Sequence, residues 1–403
     1  MDEPKKVAVV GTVMRKYSHS VVLLYPFVEG FRMDHGTEQP RVQIASMYLD
    51  QFNEDDRGRA FSEEFGIPLY GSIQNALTLG GDELAVDAVM IIGEHGDYPE
   101  NEFEQKLYPR RHFMEQVCGV FKESGRSVPT FIDKHLSYNW ADAKWMYDRA
   151  KELNVPFMAG SSLPVCWRKP WLEHGIGTPI EEALAVGYGQ IDAYGFHALE
   201  VLQCMLERRE GGETGIARVR GTRGQRVWDD AGIYWPLDIA EAVCDRISTT
   251  KPGNMEDNCP DPTLFSIDYT DETQGFVLML GAEKEHVRDF GYGARVGGEV
   301  QSTEFFLQPH DERKYNGPFC HFSYYGKSIE EFFLTGKVQV PVERTLKTTG
   351  VLETALHSRE GNQDWIDTPH LRDPYELLPD VKWRPRGERP SGDTLRRWPA
   401  VLE

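Results

Sequence analysis

Along the first 165 residues, short continuous apolar runs alternate with stretches in which apolar positions recur every third or fourth residue. A continuous run bounded by glycine or polar residues marks a strand buried on both faces, and the wider spacing marks an amphipathic helix. The runs Val7–Gly11, Val42–Asp50, Val86–Gly93, Val128–Lys134 and Val155–Ser162 therefore predict strands, and Asp55–Phe65, Gln105–Lys122 and Trp140–Glu152 predict helices between them. This alternation predicts a Rossmann-like, doubly wound parallel sheet over residues 1–165, which binds ligands at the carboxyl ends of its strands.

Beyond Trp167 the pattern changes. IEEALAVGYG reads as a strand or loop feeding a helix that begins near Tyr194, and TGIARVRGT, LFSIDYT, GFVLMLG and STEFFLQ follow as strand-like segments. Strands in that number after one helix predict an α+β domain with a mostly antiparallel sheet over residues 166–377. Residues 378–403, rich in Pro and Arg with little periodicity, read as an extended tail that packs on a neighbouring domain or subunit or is partly disordered. No repeat of 20 to 50 residues is visible.

A chain of 403 residues exceeds the usual single domain, which agrees with two. Its formal charge of −20, from 44 Lys and Arg against 64 Asp and Glu, repels a phosphate backbone and argues against nucleic acid as a partner. No apolar run nears the ~20 residues of a membrane span, and the start enters a strand too early for a signal peptide, so a cytoplasmic location is expected. The six cysteines have no C-x-x-C spacing, so they are expected to be reduced and mainly buried.

The candidate chemistry falls at the predicted strand ends. A dinucleotide-binding turn wants three glycines, of which Gly11 alone is present; Thr12 and Val13 can still offer amides to a phosphate. Asp50 stands where an acid takes ribose hydroxyls, although the spacing from Gly11 is long. Glu94, His95, Asp97 and Tyr98 fall where a ligand meets the third strand, and His95 with Asp97 suits a divalent metal equally. Lys134 ends a buried strand, a costly place for an ammonium that is neither paired nor used. His197, in the first turn of the helix with Glu200 one turn on, has the chemistry to take a proton from an alcohol. At each position the plain alternative is a packed or hydrogen-bonded structural residue.

Taken in order, AFSEEFGIPLYGSIQNAL, VDAVMII, FIDKHLSYNWADAKWMYDRAKELNVPFMAGSS and FFLTGKVQVPVERTLKTTGVLETALHS make the chain, from Val7 to about Ser358, resemble the Gfo/Idh/MocA oxidoreductases. The resemblance implies a nicotinamide cofactor, NAD or NADP, bound by Gly11, Thr12, Val13, Asp50, Glu94 and Lys134. It also implies a sugar-like or cyclitol substrate oxidised at a secondary hydroxyl, and a homodimer or homotetramer. Lys134 takes the place of the lysine of the family's E-K-P segment, and His197 that of the acid/base histidine of its D-x-G-x-H segment, with Gly195 matching the glycine. His95, Asp97, Tyr98, Tyr194 and His321 are then substrate contacts, and Tyr188, Trp228, Trp235 and Tyr324 further candidates for an aromatic wall. The sequence departs from the family at Asp133 and His135, which flank the lysine, at Ala193 in place of the aspartate, and at Glu94-His95 in place of Thr-Pro. These departures keep two alternatives in view. One is a non-redox lyase, hydrolase or isomerase with a metal on His95, Asp97, His135 and His197; the other is a non-catalytic sugar-binding protein.

Overall fold

The structure is a computed structural model that describes residues 3–281, 286–307, 321–378 and 381–387. Five apolar segments form β1 (Lys5–Gly11), β2 (Val42–Leu49), β3 (Ala88–Ile92), β4 (Thr130–Asp133) and β5 (Phe157–Gly160). They pair in the order β2-β1-β3-β4-β5, all parallel. Helices α1 (His19–Glu29), α2 (Gly58–Phe65), α3 (Ile73–Thr78), α4 (Arg110–Glu123) and α5 (Trp140–Glu152) connect them. Val7 and Val9 join one buried cluster while Ala8 and Val10 join another, so both faces of β1 are covered. That is why its sequence is apolar throughout rather than alternating.

The second sheet contains β6 (Trp167–Lys169), β7 (Ile180–Gly187), β8 (Ile216–Arg223), β9 (Thr263–Tyr269), β10 (Gln274–Met279), β11 (Phe290–Val296), β12 (Glu299–Phe306) and β13 (Ile366–Asp367). Its order is β13-β8-β9-β10-β7-β11-β12-β6, and only the central β10/β7 pair is parallel. Helix α6 (Ala193–Leu206) packs on one face and α7 (Leu237–Cys244) on the other. The fold class therefore agrees with the expectation: a Rossmann-like parallel sheet followed by an α+β unit with a mostly antiparallel sheet. Strands β6, β11 and β13 lie outside the predicted set, and Val42–Asp50, Val86–Gly93, Val128–Lys134 and Val155–Ser162 are each shorter at one end or both.

After β12 the chain returns to the first sheet. Helix α8 (Phe322–Thr335) packs on α1, and α9 (Val342–Glu360), entered through Pro341, runs between the units against α5, α6, β5 and β8. Gly221 permits this path, because a Cβ there would lie 2.0 Å from the Ala355 carbonyl oxygen. In the tail, Val381 and Trp383 pack on the core of the first unit, and Ser328 Oγ donates to the Trp383 carbonyl at 3.2 Å. The rest of that stretch, 379–380 and 388–403, lies outside the described residues. Five cysteines are buried free thiols, and Cys320 also lies outside the described residues.

Candidate active site

Gly11 closes β1 where a Cβ would stand 2.9 Å from Leu49 Cδ2, so glycine here lets the end of β2 approach. The chain does not turn at once into α1. Thr12, Val13 and Met14 have no exposed surface. The carbonyls of Gly11, Thr12 and Met14 accept from the amides of Asp50, Gln51 and Arg57 at 3.0, 2.8 and 2.7 Å. Thr12 donates its hydroxyl to the Glu94 carbonyl at 2.5 Å. The loop ends at Ser18, whose hydroxyl accepts from Arg15 N at 3.1 Å and caps α1 through Val21 N. The cap fixes His19 in the first turn.

Two further strand ends meet His19. Lys134, just past β4, is 1% exposed, and its ammonium donates to Glu94 Oε2 at 2.5 Å. Burial alone would raise the Glu94 carboxyl, but the positive charges of His19 and Lys134 outweigh it and hold the group well below the usual carboxylate range. His19 Nδ1 stands 2.7 Å from Asp133 Oδ2 and 3.8 Å from Glu94 Oε2. His95 follows Glu94 with a left-handed φ of 67°, and burial pushes its imidazole down to about 3.

Helix α6 brings in the remaining imidazole. His197 Nδ1 lies 2.6 Å from Ser161 Oγ, which also accepts from Leu163 N at 3.1 Å. Burial, followed by the charges of Lys134 and His19, holds His197 well below the ordinary histidine value, so it is neutral at pH 7. His321, before α8, contacts Ser162 Oγ through Nε2 at 3.0 Å and is pushed down to about 3 by burial. Glu94, His95, Lys134 and His197 line one cavity of about 180 Å³. Tyr188, Tyr194, Phe290 and His321 form its aromatic side. A groove of about 260 Å³ nearby is lined by Asp192 and Arg359 and holds neither Lys134 nor His197.

The other predicted site residues go elsewhere. Asp50 accepts from the hydroxyls of Tyr48 at 2.9 Å and Tyr98 at 2.7 Å. Asp97 takes Asn53 Nδ2 at 3.0 Å, and its backbone amide donates to Gln51 Oε1 at 2.8 Å. These contacts form a clasp from the end of β2 to the loop after β3, outside the cavity. His135 stacks on Phe196 at 5.2 Å and faces Asp192 Oδ1 at 3.5 Å, so it stands apart from His95. Glu200 turns from His197 to Arg344 Nε at 3.3 Å and Thr348 Oγ1 at 2.8 Å. The indoles of Trp228 and Trp235 donate to the carbonyls of Cys259 and Val227, and Tyr324 packs on Trp167, and none of the three lines the cavity of Lys134 and His197. Sequence reasoning missed His19 and Ser161; a serine cap directly before an apolar run was the available signal for the first.

No family model matches the sequence, and no curated protein matches it. Solved structures share its fold. GenD2 from gentamicin A biosynthesis, crystallised with NAD, superposes with TM-score 0.59 at 13% identity, over 91% of this chain and 97% of that one. The apo scyllo-inositol dehydrogenase of Lactobacillus casei gives TM-score 0.55 at 11% identity, covering 91% and 99%. A myo-inositol dehydrogenase of Corynebacterium glutamicum gives 0.55 at 12%, covering 90% and 98%. The architecture is therefore the one that the resemblance to the Gfo/Idh/MocA oxidoreductases implies.

Proposed function

We propose that the chain is an NAD(P)-dependent oxidoreductase acting on a secondary hydroxyl of a sugar, cyclitol or related polyol. The observation that carries this reading is that Lys134 and His197 line one cavity at the carboxyl ends of the parallel strands, where sheets of this kind take their ligands. The neighbours named above, one holding NAD and two inositol dehydrogenases, support the same reaction class. In this reading residues 1–165 hold the cofactor and 166–377 shape the substrate site, in a cytoplasmic homodimer or homotetramer.

The inner half of the sheet edge fits the nicotinamide and phosphate portions of such a group. The N-terminus of α1, with Arg15 and Lys16 just before it, would meet the phosphates there; the Thr12 amide, expected to do so, donates instead to the Ile92 carbonyl at 3.1 Å. The outer half would take the adenosine ribose on Asp50, whose carboxylate is engaged by Tyr48 and Tyr98. Those contacts are exposed, where single polar pairs contribute little, so cofactor binding opens the clasp.

When bound, the nicotinamide supplies the hydride acceptor. His197, kept neutral by burial, takes the hydroxyl proton on Nε2 while its Nδ1–H donates to Ser161 Oγ. Lys134, held by Glu94, donates to the same substrate oxygen. Tyr188 and Tyr194 offer ring faces to the C–H side of a sugar-like ligand, and the small volume suits a ligand of single-ring size. His197→Ala and Lys134→Met should each lower turnover about 10²- to 10⁴-fold, with retention of fold checked by circular dichroism. Because the base has a depressed pKa, kcat/KM of the wild type should stay level as pH falls through 6.5, the ordinary histidine value. Unchanged turnover in both variants contradicts the assignment.

A further inference from the structure

We infer that His19, Glu94 and His95 form a divalent-cation site on the wall of the active cavity, of the two-histidine, one-carboxylate kind that binds zinc. One nitrogen of each imidazole and one carboxylate oxygen all lie within 4.8 Å of one another. Ligands at about 2.0–2.2 Å from one zinc ion are separated by no more than about 4.4 Å, so modest side-chain adjustment closes the set. The ring centroids of His19 and His95 are 5.6 Å apart, a spacing at which two imidazoles can share one ion.

Two observations besides proximity point to a ligand. His95 Nε2 is buried without a hydrogen-bond partner among the described residues, and a buried polar atom left in that state has a cost that coordination removes. His19 is oriented by a carboxylate: Asp133 Oδ2 lies 2.7 Å from Nδ1 and takes the hydrogen bond there, so that Nε2 is the nitrogen that gives up its proton when a cation binds. Carboxylate-held imidazoles of this kind recur around bound metals. Asp133 is thus a positioning residue and not a ligand. The three ligands leave open positions toward the cavity that Lys134 and His197 share, where a bound cation polarises a substrate oxygen. The backbone places all three on rigid ends: His19 in the capped first turn of α1, Glu94 and His95 directly after β3.

The test of this site is independent of the nicotinamide reading, because it involves no dinucleotide. Protein freed of metal with a chelator and titrated with zinc chloride should bind one zinc per chain, and zinc should raise its thermal midpoint. His19→Ala with His95→Ala should abolish that stoichiometric binding and the thermal shift, and Asp133→Asn should weaken zinc about 10- to 100-fold. Crystals of the wild type soaked in zinc and measured at the zinc absorption edge supply a readout that does not depend on any variant folding. Anomalous density among His19, Glu94 and His95 upholds the site. Density confined to surface residues, or zinc binding of the same affinity in the double variant, overturns it.

Discussion

Asp192 carries its carboxylate into the protein at the start of α6, 4% exposed, with Lys106 N at 3.3 Å from Oδ2 and no partner for Oδ1 that meets hydrogen-bond geometry. Burial raises its pKa from 3.8 to about 6, and the nearby Arg110 offsets this only in part. For an acid raised on folding, the stability it contributes is full below the unfolded value and is lost as pH rises through the folded one. Asp192→Asn removes the charge, so it should stabilise the protein about 1 to 2 kcal/mol more at pH 8 than at pH 5. Denaturant unfolding at the two pH values checks this, and equal effects at both would contradict it. The sequence pattern pointed to Lys134 because a charged group at the end of an apolar run stands out, and to His197 because a histidine falls in the first turn of a predicted helix. It could not separate Glu200 from them, since helical spacing places His197 and Glu200 on one face without saying what each meets. Arg344, 144 residues away, captures Glu200. His19 was hidden for a similar reason: its role comes from Asp133 and Glu94, which only the folded sheet brings to it.

Helices α6 and α9 are tied by Arg344, which meets Glu200 at 3.3 Å and Glu207 at 3.0 Å, all three nearly free of solvent. Removing the cation strands two buried carboxylates, so Arg344→Met should cost about 3–5 kcal/mol in denaturant unfolding; a loss below about 1 kcal/mol would mean that the pair is solvated in solution. The clasp works at the same scale. If Asp50, Gln51, Tyr98 and Asp97 must separate to admit the adenosine, Gln51→Ala with Tyr98→Phe should tighten nicotinamide binding. Weaker binding would mean that those side chains contact the cofactor directly. The parallel strands were legible because each is a continuous apolar run. Strand β11, FGYGARV, was not, because Gly291 and Gly293 interrupt its pattern. They are there because α7 lies close: a Cβ on Gly291 would stand 2.4 Å from Val243 Cγ1, and one on Gly293 2.7 Å from Ile239 Cγ2. Helix α1 was obscured by its nearly all-apolar sequence, which has no polar stripe, and by the Pro26 it contains.

For the whole molecule, α8 and α9 return the end of the chain to the first sheet, so the cavity is walled by both units: Lys134 and Glu94 from one, His197 and Phe290 from the other. Segments far apart in sequence must dock before the pocket exists, which is why strand-end residues could be located from the sequence but their grouping could not. Among the described residues no helix is long and apolar enough to cross a membrane. In the proposed function this sheet edge takes a nicotinamide dinucleotide despite a single glycine at the first turn. Native mass spectrometry of the purified chain, followed by titration with NAD(H) and NADP(H), tests it most directly. One nicotinamide per chain, retained on purification or bound at micromolar concentration, is the predicted result. No binding of either dinucleotide at millimolar concentration to folded protein would contradict it, and would move the chemistry to the histidines and carboxylates around Lys134.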